Sequence, residues 1–247
     1  MRASFELDEQ RIEVCRAPVE HVVVDGLFGE ALSAAILEHI IALEPHFAPA
    51  GIGRDSEQHP LRQNLTCGPD ALFFTPGDEE VELEERFRRR AQRSVLLGAI
   101  DSLMLDTELR EVFDGAPFPL CKLREVDRWE TQVSRYGAAG DEYRWHYDRL
   151  GDDGRLVSIV YYVFSEPRAF EGGELELTRG LVRRGALISS GTETARVVPA
   201  HDRAVIFDAR TAHRVLPTKA PDEFGAGRFS VNVFAGITSE PPAGQVY

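Results

Sequence analysis

"LVSIVYYVFSEPRAFEGGELELT", residues 156–178, decides the fold class. It opens on an apolar run of β-branched and aromatic residues and closes with Leu175 and Leu177 alternating with Glu174, Glu176 and Thr178. A continuous apolar run and a period-two alternation are both strand patterns, the first doubly buried and the second half-buried. Between them Pro167, Gly172 and Gly173 mark a loop and a turn, and the two glycines are assigned no chemistry. The same texture spreads outward through "LCKLREVDRWETQVSRYG", "YRWHYD", "TARVVPA", "RAVIFDA", "HRVLP" and "RFSVNVFAG". About eight short strands at this spacing predict a sandwich, barrel or jelly roll.

Upstream the period changes. Residues 20–24, "EHVVV", predict a short strand, and Leu32, Ala35, Ile36, His39, Ile40 and Leu43 then fall at helical spacing until Pro45. Residues 46–78 keep no clean period and are expected to form a long loop or lid. A second helix is predicted from Asp78 to about Leu105, and a shorter one over 106–113. No repeat or linker divides the chain, so a helical flank (20–115) is expected to pack on the β core (117–238) in a single domain, 1–247.

The bulk properties exclude several classes. With 43% hydrophobic and 28% charged residues, the 247-residue chain has the composition of a soluble globular protein. Its formal charge of −13 repels nucleic acid, and "RFRRRAQR" (86–93) beside "DEEVELEE" reads as a solvated helix face with i,i+4 pairs. The most apolar stretches, "ALSAAILEHIIAL" and "SVLLGAIDSLML", are short and carry Glu38, His39 and Asp101, so no membrane span is expected. The N-terminus lacks an apolar h-region, and Cys15, Cys67 and Cys121 are far apart and odd in number. Both features lead to the expectation of a reduced, cytoplasmic protein without a disulfide framework. No oligomeric state can be read from the chain.

"EYRWHYD" (142–148) places His146 and Asp148 two apart, hence on one face of a strand. That is a metal grip or an ordinary surface pair. A 2-His-1-carboxylate facial triad needs one more histidine from another strand. His21, His39, His46 and His59 lie in the helical half and His201 in the turn "PAHDRA", whereas His213 follows "AVIF" and opens a strand. Fifteen residues beyond it, Arg228 and Ser230 alternate with Phe229 and Val231, which turns the guanidinium and hydroxyl to one face. A buried arginine is costly unless it meets an anion, and its fork of donors fits a carboxylate.

The ordered set His146-x-Asp148, His213, Arg228-x-Ser230 resembles the Fe(II)- and 2-oxoglutarate-dependent dioxygenases, in their prolyl-4-hydroxylase-like branch. "RYGAAGDEYRWHYD", "YYVFSEPRAFEGGELEL" and "VVPAHDRAVIFDARTAHRVLP" are similar to that branch's signatures, over about residues 117–238, with a weaker echo in "HVVVDGLFGEALSAAILEHI". The resemblance implies a mostly β fold with flanking helices, a double-stranded β-helix (jelly roll) core packed against N-terminal helices. It implies Fe(II) on His146, Asp148 and His213, with 2-oxoglutarate and O2 as cosubstrates. Arg228 and Tyr162 would hold the distal carboxylate of 2-oxoglutarate, with Ser230 a second partner there, and Tyr136 would touch the metal-proximal carboxylate. Retention of Asp148 disfavours halogenation.

Strand parity extends the pocket. Glu130, Gln132 and Ser134 share the parity of Tyr136 and are expected to offer polar contacts, while Trp129 and Trp145, of opposite parity to Tyr136 and His146, are expected to pack on the outer helices. Arg54 and Arg62, in the irregular region, are candidates to recognise a substrate carboxylate. The turn "GAAG" lacks the proline common in the branch, and "TKAPDEFGAG" between His213 and Arg228 is an insertion expected at the barrel mouth. The expected activity is hydroxylation of an unactivated carbon of a small molecule, such as an amino acid or biosynthetic intermediate. A peptidyl-prolyl hydroxylase is the alternative enzyme, and a non-catalytic jelly-roll protein binding metal or dicarboxylate the alternative from another class.

Overall fold

The fold is given by a computed structural model, which describes residues 2–7, 10–51, 61–77, 80–106, 120–137, 140–149, 153–189 and 191–238. Two antiparallel sheets face each other. The major sheet runs β1 (Arg2–Leu7), β2 (Gln10–Cys15), β3 (His21–Asp25), β15 (Arg203–Asp208), β9 (Arg155–Val163), β17 (Arg228–Gly236), β7 (Arg128–Tyr136), β6 (Leu65–Cys67), β4 (Ala48–Pro49). The minor sheet runs β14 (Thr194–Val197), β11 (Leu175–Thr178), β16 (Ala212–Lys219), β8 (Asp141–His146), β5 (Arg62–Gln63), and β10 (Glu171–Gly172) also pairs with β16. A small hairpin, β12 (Val182–Arg183) and β13 (Ala186–Leu187), stands apart. This is the expected jelly roll, mostly β with flanking helices.

Alternation explains how the sheet serves two cores. Odd residues of β9 and β17, among them Ile159, Tyr161, Phe229, Val231 and Val233, join Ile36, Ile40, Leu96 and Ile100 in one buried cluster against the helices. Even residues turn the other way, so Val160 and Tyr162 meet Leu175, Leu177 and Phe207 between the sheets. Each such fully buried side chain contributes about 1.5–3 kcal/mol relative to exposure. The run "LVSIVYYVF" is therefore apolar on both faces because both faces are covered.

The helices are α1 (Gly29–Ala42), α2 (Pro69–Phe73), α3 (Leu83–Arg93) and α4 (Val95–Leu105). Asp202 organises the start of α1 from a distance, accepting hydrogen bonds from the N–H groups of Phe28 (3.0 Å) and Gly29 (2.8 Å) and from the Tyr161 hydroxyl (3.0 Å). It does so from a turn in which its own φ is +56°, a conformation Asp tolerates better than most residues. Among the described residues no helix is long and apolar enough to cross a membrane.

Several expectations need correction. The single helix foreseen over 78–105 is two, because Ser94 is extended (φ −147°, ψ 114°) and its hydroxyl caps α4 by accepting from Leu97 N–H at 3.2 Å. Serine competes for backbone groups in this way, so it ends helices that its neighbours would continue. The chain then folds back so tightly that a Cβ on Gly98 would lie 2.8 Å from that of Ala91. The region 46–78 holds β4, β5, β6 and α2 rather than an uninterrupted loop, and β1 and β2 were not anticipated at all. Residues 107–113 of the third expected helix lie outside the described residues. Of the insertion 218–227, Thr218 and Lys219 complete β16 and Phe224 packs on Phe47 and Phe229 at the helical side, and none of its residues lines the cavity described below.

Candidate metal centre and adjoining pocket

His146 ends β8, and His213 stands directly opposite it on β16. Asp148 lies just past the strand, where its N–H donates to Ala209 O (3.2 Å) and its Oδ2 accepts from the Ser158 hydroxyl of the facing sheet (2.6 Å). The carboxylate is thus aimed by a turn and a cross-sheet hydrogen bond, not by continued strand alternation. One donor atom from each of the three side chains falls within 4.8 Å of the others. Asp148 Oδ1 is 3.7 Å from His146 Nε2, and Oδ2 is 3.5 Å from His213 Nε2.

Both imidazoles are oriented by main-chain carbonyls. His146 Nδ1 lies 2.8 Å from Arg144 O and His213 Nδ1 2.9 Å from Thr211 O. A carbonyl only accepts, so Nδ1 carries the proton and each Nε2 presents its lone pair to the centre. Burial, reinforced by neighbouring His213, holds His146 well below its ordinary pKa. At His213 burial acts the same way but the Asp148 carboxylate outweighs it and raises the value. At Asp148 burial is likewise outweighed, chiefly by His213, and the carboxyl is held below its usual range. The set offers a divalent cation two imidazole nitrogens and one carboxylate oxygen. The side chains of His146 and Asp148 keep 13% and 10% exposure, which leaves the centre open toward a cavity.

That cavity, about 340 Å³, is also lined by Arg228, Ser230, Tyr136, Gln132, Ser134 and Arg62. Arg228 is fully buried. Its guanidinium lies between the rings of Tyr136 and Tyr162, 4.7 and 4.8 Å from their centroids. Nε donates to Gly173 O at 2.9 Å and Nη1 to the Ser230 hydroxyl at 3.3 Å. Arg228 Nη2 and the Tyr162 hydroxyl, both buried, make no well-formed hydrogen bond among the described residues, though Tyr162 lies close enough to Arg228 to feel its charge. Two unsatisfied buried donors beside one cation form a receptor for an oxygen-rich anion. The donor set and these orphaned atoms together fit an N,N,O-bound divalent metal with a carboxylate-bearing cosubstrate.

The remaining expected residues divide. Gln132 Oε1 and the Ser134 hydroxyl face the cavity and accept from Arg62 Nη2 at 2.6 and 3.2 Å. Glu130 is exposed and does not itself line the cavity, but it pairs at 2.8 Å with Nη2 of Arg155, which does. Trp129 does pack on the helices, stacking on Phe87 and donating to Asp101. Trp145, which is buried, instead lies beneath Arg214, whose guanidinium carbon is 4.7 Å from the ring centroid. Arg54 falls outside the described residues.

Four contributors escaped the sequence reading. Gly173 was given no chemistry, yet its carbonyl holds Arg228, and at φ +74° an added Cβ would sit 2.6 Å from Arg228 Cδ. Ser158 and Asn232 share parity with Tyr162 and Arg228, a signal that could have found both. Tyr143 stacks on the His146 ring at 3.4 Å between centroids, 13° from parallel, a contact with no signature in the chain.

Residues 131–236 match the family profile described as "2OG-Fe(II) oxygenase superfamily". An uncharacterized PKHD-type hydroxylase of Synechocystis sp. is 32% identical over 145 residues, 58% of this chain and 46% of that protein, so the match spans about half the relative's length. Among solved structures, a Trichoplax adhaerens prolyl hydroxylase in complex with a hypoxia inducible factor peptide superposes with TM-score 0.57 at 19% identity, covering 87% of this chain and 83% of that one. A Pseudomonas putida prolyl-4-hydroxylase gives 0.54 at 21% identity over 90% and 95%. At these identities the structural likeness speaks for the fold.

Proposed function

We infer that the chain is a member of the 2OG-Fe(II) oxygenase superfamily, whose profile its residues 131–236 match. We propose that it is an Fe(II)- and 2-oxoglutarate-dependent dioxygenase that hydroxylates an unactivated carbon of a small molecule, an amino acid or biosynthetic intermediate. The activity is placed in a single catalytic domain, 1–247. The observation that carries the reading is the buried Arg228 Nη2, without a hydrogen-bond partner among the described residues, in the wall of the cavity that the His146, Asp148 and His213 donors open into, with the Tyr162 ring against its guanidinium.

His146, Asp148 and His213 would hold Fe(II), each ring turned by its Nδ1–H···O=C bond so that Nε2 faces the centre. Arg228 and Tyr162 bind the distal carboxylate of 2-oxoglutarate, and Ser230 fixes the guanidinium's rotation. Tyr136 covers the other face of Arg228 and, in this reading, touches the metal-proximal carboxylate. Bound iron, with 2-oxoglutarate and O2, supplies the oxidation that turns C–H into C–OH with release of succinate and CO2. The Ser158 hydroxyl, donating to Asp148 Oδ2, fixes the carboxylate's rotation and would keep it positioned to hold the metal.

The test is anaerobic addition of Fe(II) and 2-oxoglutarate, then air. A weak visible charge-transfer band and slow succinate release are expected, and His213→Ala should lose iron binding. A band without succinate would instead mark a non-catalytic binder, and stimulation by prolyl peptides alone a peptidyl-prolyl hydroxylase. Normal iron stoichiometry in His213→Ala refutes the ligand assignment.

A further inference from the structure

We propose that Arg62 anchors an anionic group, a carboxylate or a phosphate, on the molecule that is hydroxylated. This names the substrate class of the same site and rests on the function proposed above.

Three arginines line the cavity. Arg155 is already paired with Glu130 at 2.8 Å and stands near Asp153 at 3.8 Å. Arg228 is committed to the cosubstrate. Arg62 is only 8% exposed, yet all its hydrogen-bond partners among the described residues are neutral: Asn64 Oδ1 at 3.1 Å, Gln132 Oε1 at 2.6 Å and the Ser134 hydroxyl at 3.2 Å. These occupy Nε and Nη2 and leave Nη1 without an acceptor among the described residues. A guanidinium withdrawn from water without a counter-charge is an unfavourable arrangement that an incoming anion relieves.

The surroundings make Arg62 a rigid receptor. Its guanidinium lies on the Tyr143 ring, 4.7 Å from the centroid, and that ring in turn stacks on the metal ligand His146. Asn232 Nδ2 donates to the same Ser134 hydroxyl oxygen (2.9 Å) that receives Arg62 Nη2, so β17, β7 and β5 together set the plane of the fork. A carboxylate held there stands one aromatic ring from the centre, on a different cation from the one that takes 2-oxoglutarate. The main-chain carboxyl of an internal polypeptide residue is an amide and cannot satisfy this site, whereas a free amino acid or small organic acid can. The charge therefore favours a small anionic substrate over an internal prolyl residue.

The experiment uses the full chain loaded with Mn(II) and 2-oxoglutarate, and reads paramagnetic relaxation of added 13C-acetate, 13C-acetamide and inorganic phosphate. Acetate or phosphate should be relaxed saturably and acetamide should not, and whichever anion binds more tightly identifies the source of the charge. Arg62→Gln should weaken that anion about tenfold or more while 2-oxoglutarate affinity stays unchanged. Arg62→Lys, which keeps the charge, should fall between, and melting curves report whether either variant is folded. Acetamide relaxed as well as acetate, neither anion relaxed, or anion binding unaltered in Arg62→Gln overturns this inference alone. Wild-type protein that fails to relax 2-oxoglutarate itself overturns the proposed function and this inference with it.

Discussion

Replacing Arg228 by Met keeps most of the buried volume and removes the cation. In the structure its Nη2 has no partner and its Nη1 makes one long hydrogen bond, so both are available to a bound carboxylate. Two charge-assisted hydrogen bonds of about 1.5–3 kcal/mol each, less the desolvation of both ions, give a net loss near 3 kcal/mol. That corresponds to roughly a 150-fold weaker 2-oxoglutarate affinity. The assay is thermal unfolding of the Mn(II)-loaded protein with 2-oxoglutarate at 100 times the wild-type Kd. Mass action then stabilises the wild type by about 2.7 kcal/mol and the variant by about 0.3 kcal/mol. For a chain of this size those values become upward shifts in Tm of about 5–11 °C and about 1 °C. Metal stoichiometry should not change, because Arg228 touches none of the three ligands. A variant that keeps the wild-type shift would falsify the carboxylate role of Arg228, and one that loses metal would show that its effect is structural.

Three further outcomes follow from the same geometry. Gly173→Ala forces a Cβ to 2.6 Å from Arg228 Cδ at a φ of +74°, so a loss of about 1–3 kcal/mol in stability, read by urea unfolding, should accompany weaker 2-oxoglutarate binding. Unchanged cosubstrate affinity would separate Gly173 from Arg228. Ser158→Ala deletes the 2.6 Å hydrogen bond to Asp148 and should lower metal affinity about 10-fold to 100-fold in a competitive chelator titration, with wild-type affinity counting against a supporting role. Glu176 is buried, which alone would raise its pKa, but hydrogen bonds from Arg196 and Arg214 outweigh burial and hold it below the ordinary 4.5. Its stabilisation is therefore complete above about pH 4.5 and lost as pH falls through the lower folded value. Glu176→Gln should flatten the acid limb of a stability profile, and equal slopes for variant and wild type would refute the pairing.

Much of this protein was legible along the chain. Period-two alternation and apolar runs located the strands from 128 to 236 except the two-residue β10, β12 and β13, and the order His146-x-Asp148, His213, Arg228-x-Ser230 singled out the metal ligands and the buried cation. The reason is local: side-chain direction on a strand follows from sequence parity, so residues two apart declare a shared face before any sheet forms. Parity also correctly turned Gln132 and Ser134 toward the cavity. Glu130, of the same parity, lies outside the lining and pairs with Arg155 at its edge.

What only the tertiary structure decided is which faces meet. His146 and His213 lie 67 residues apart and become neighbours through the register of β8 against β16, a property of sheet pairing. The break at Ser94 depends on α3 folding back across Gly98, a contact invisible to a helical period. Gly173 acquires its role because the turn before β11 passes under β17, and Arg62 because β5 joins the minor sheet beside Tyr143. Whether a buried charge has a partner is a count over atoms from several strands, so the chain could propose Arg62 and Arg228 as cations, but only packing shows which hydrogen-bonding groups of each are left unsatisfied.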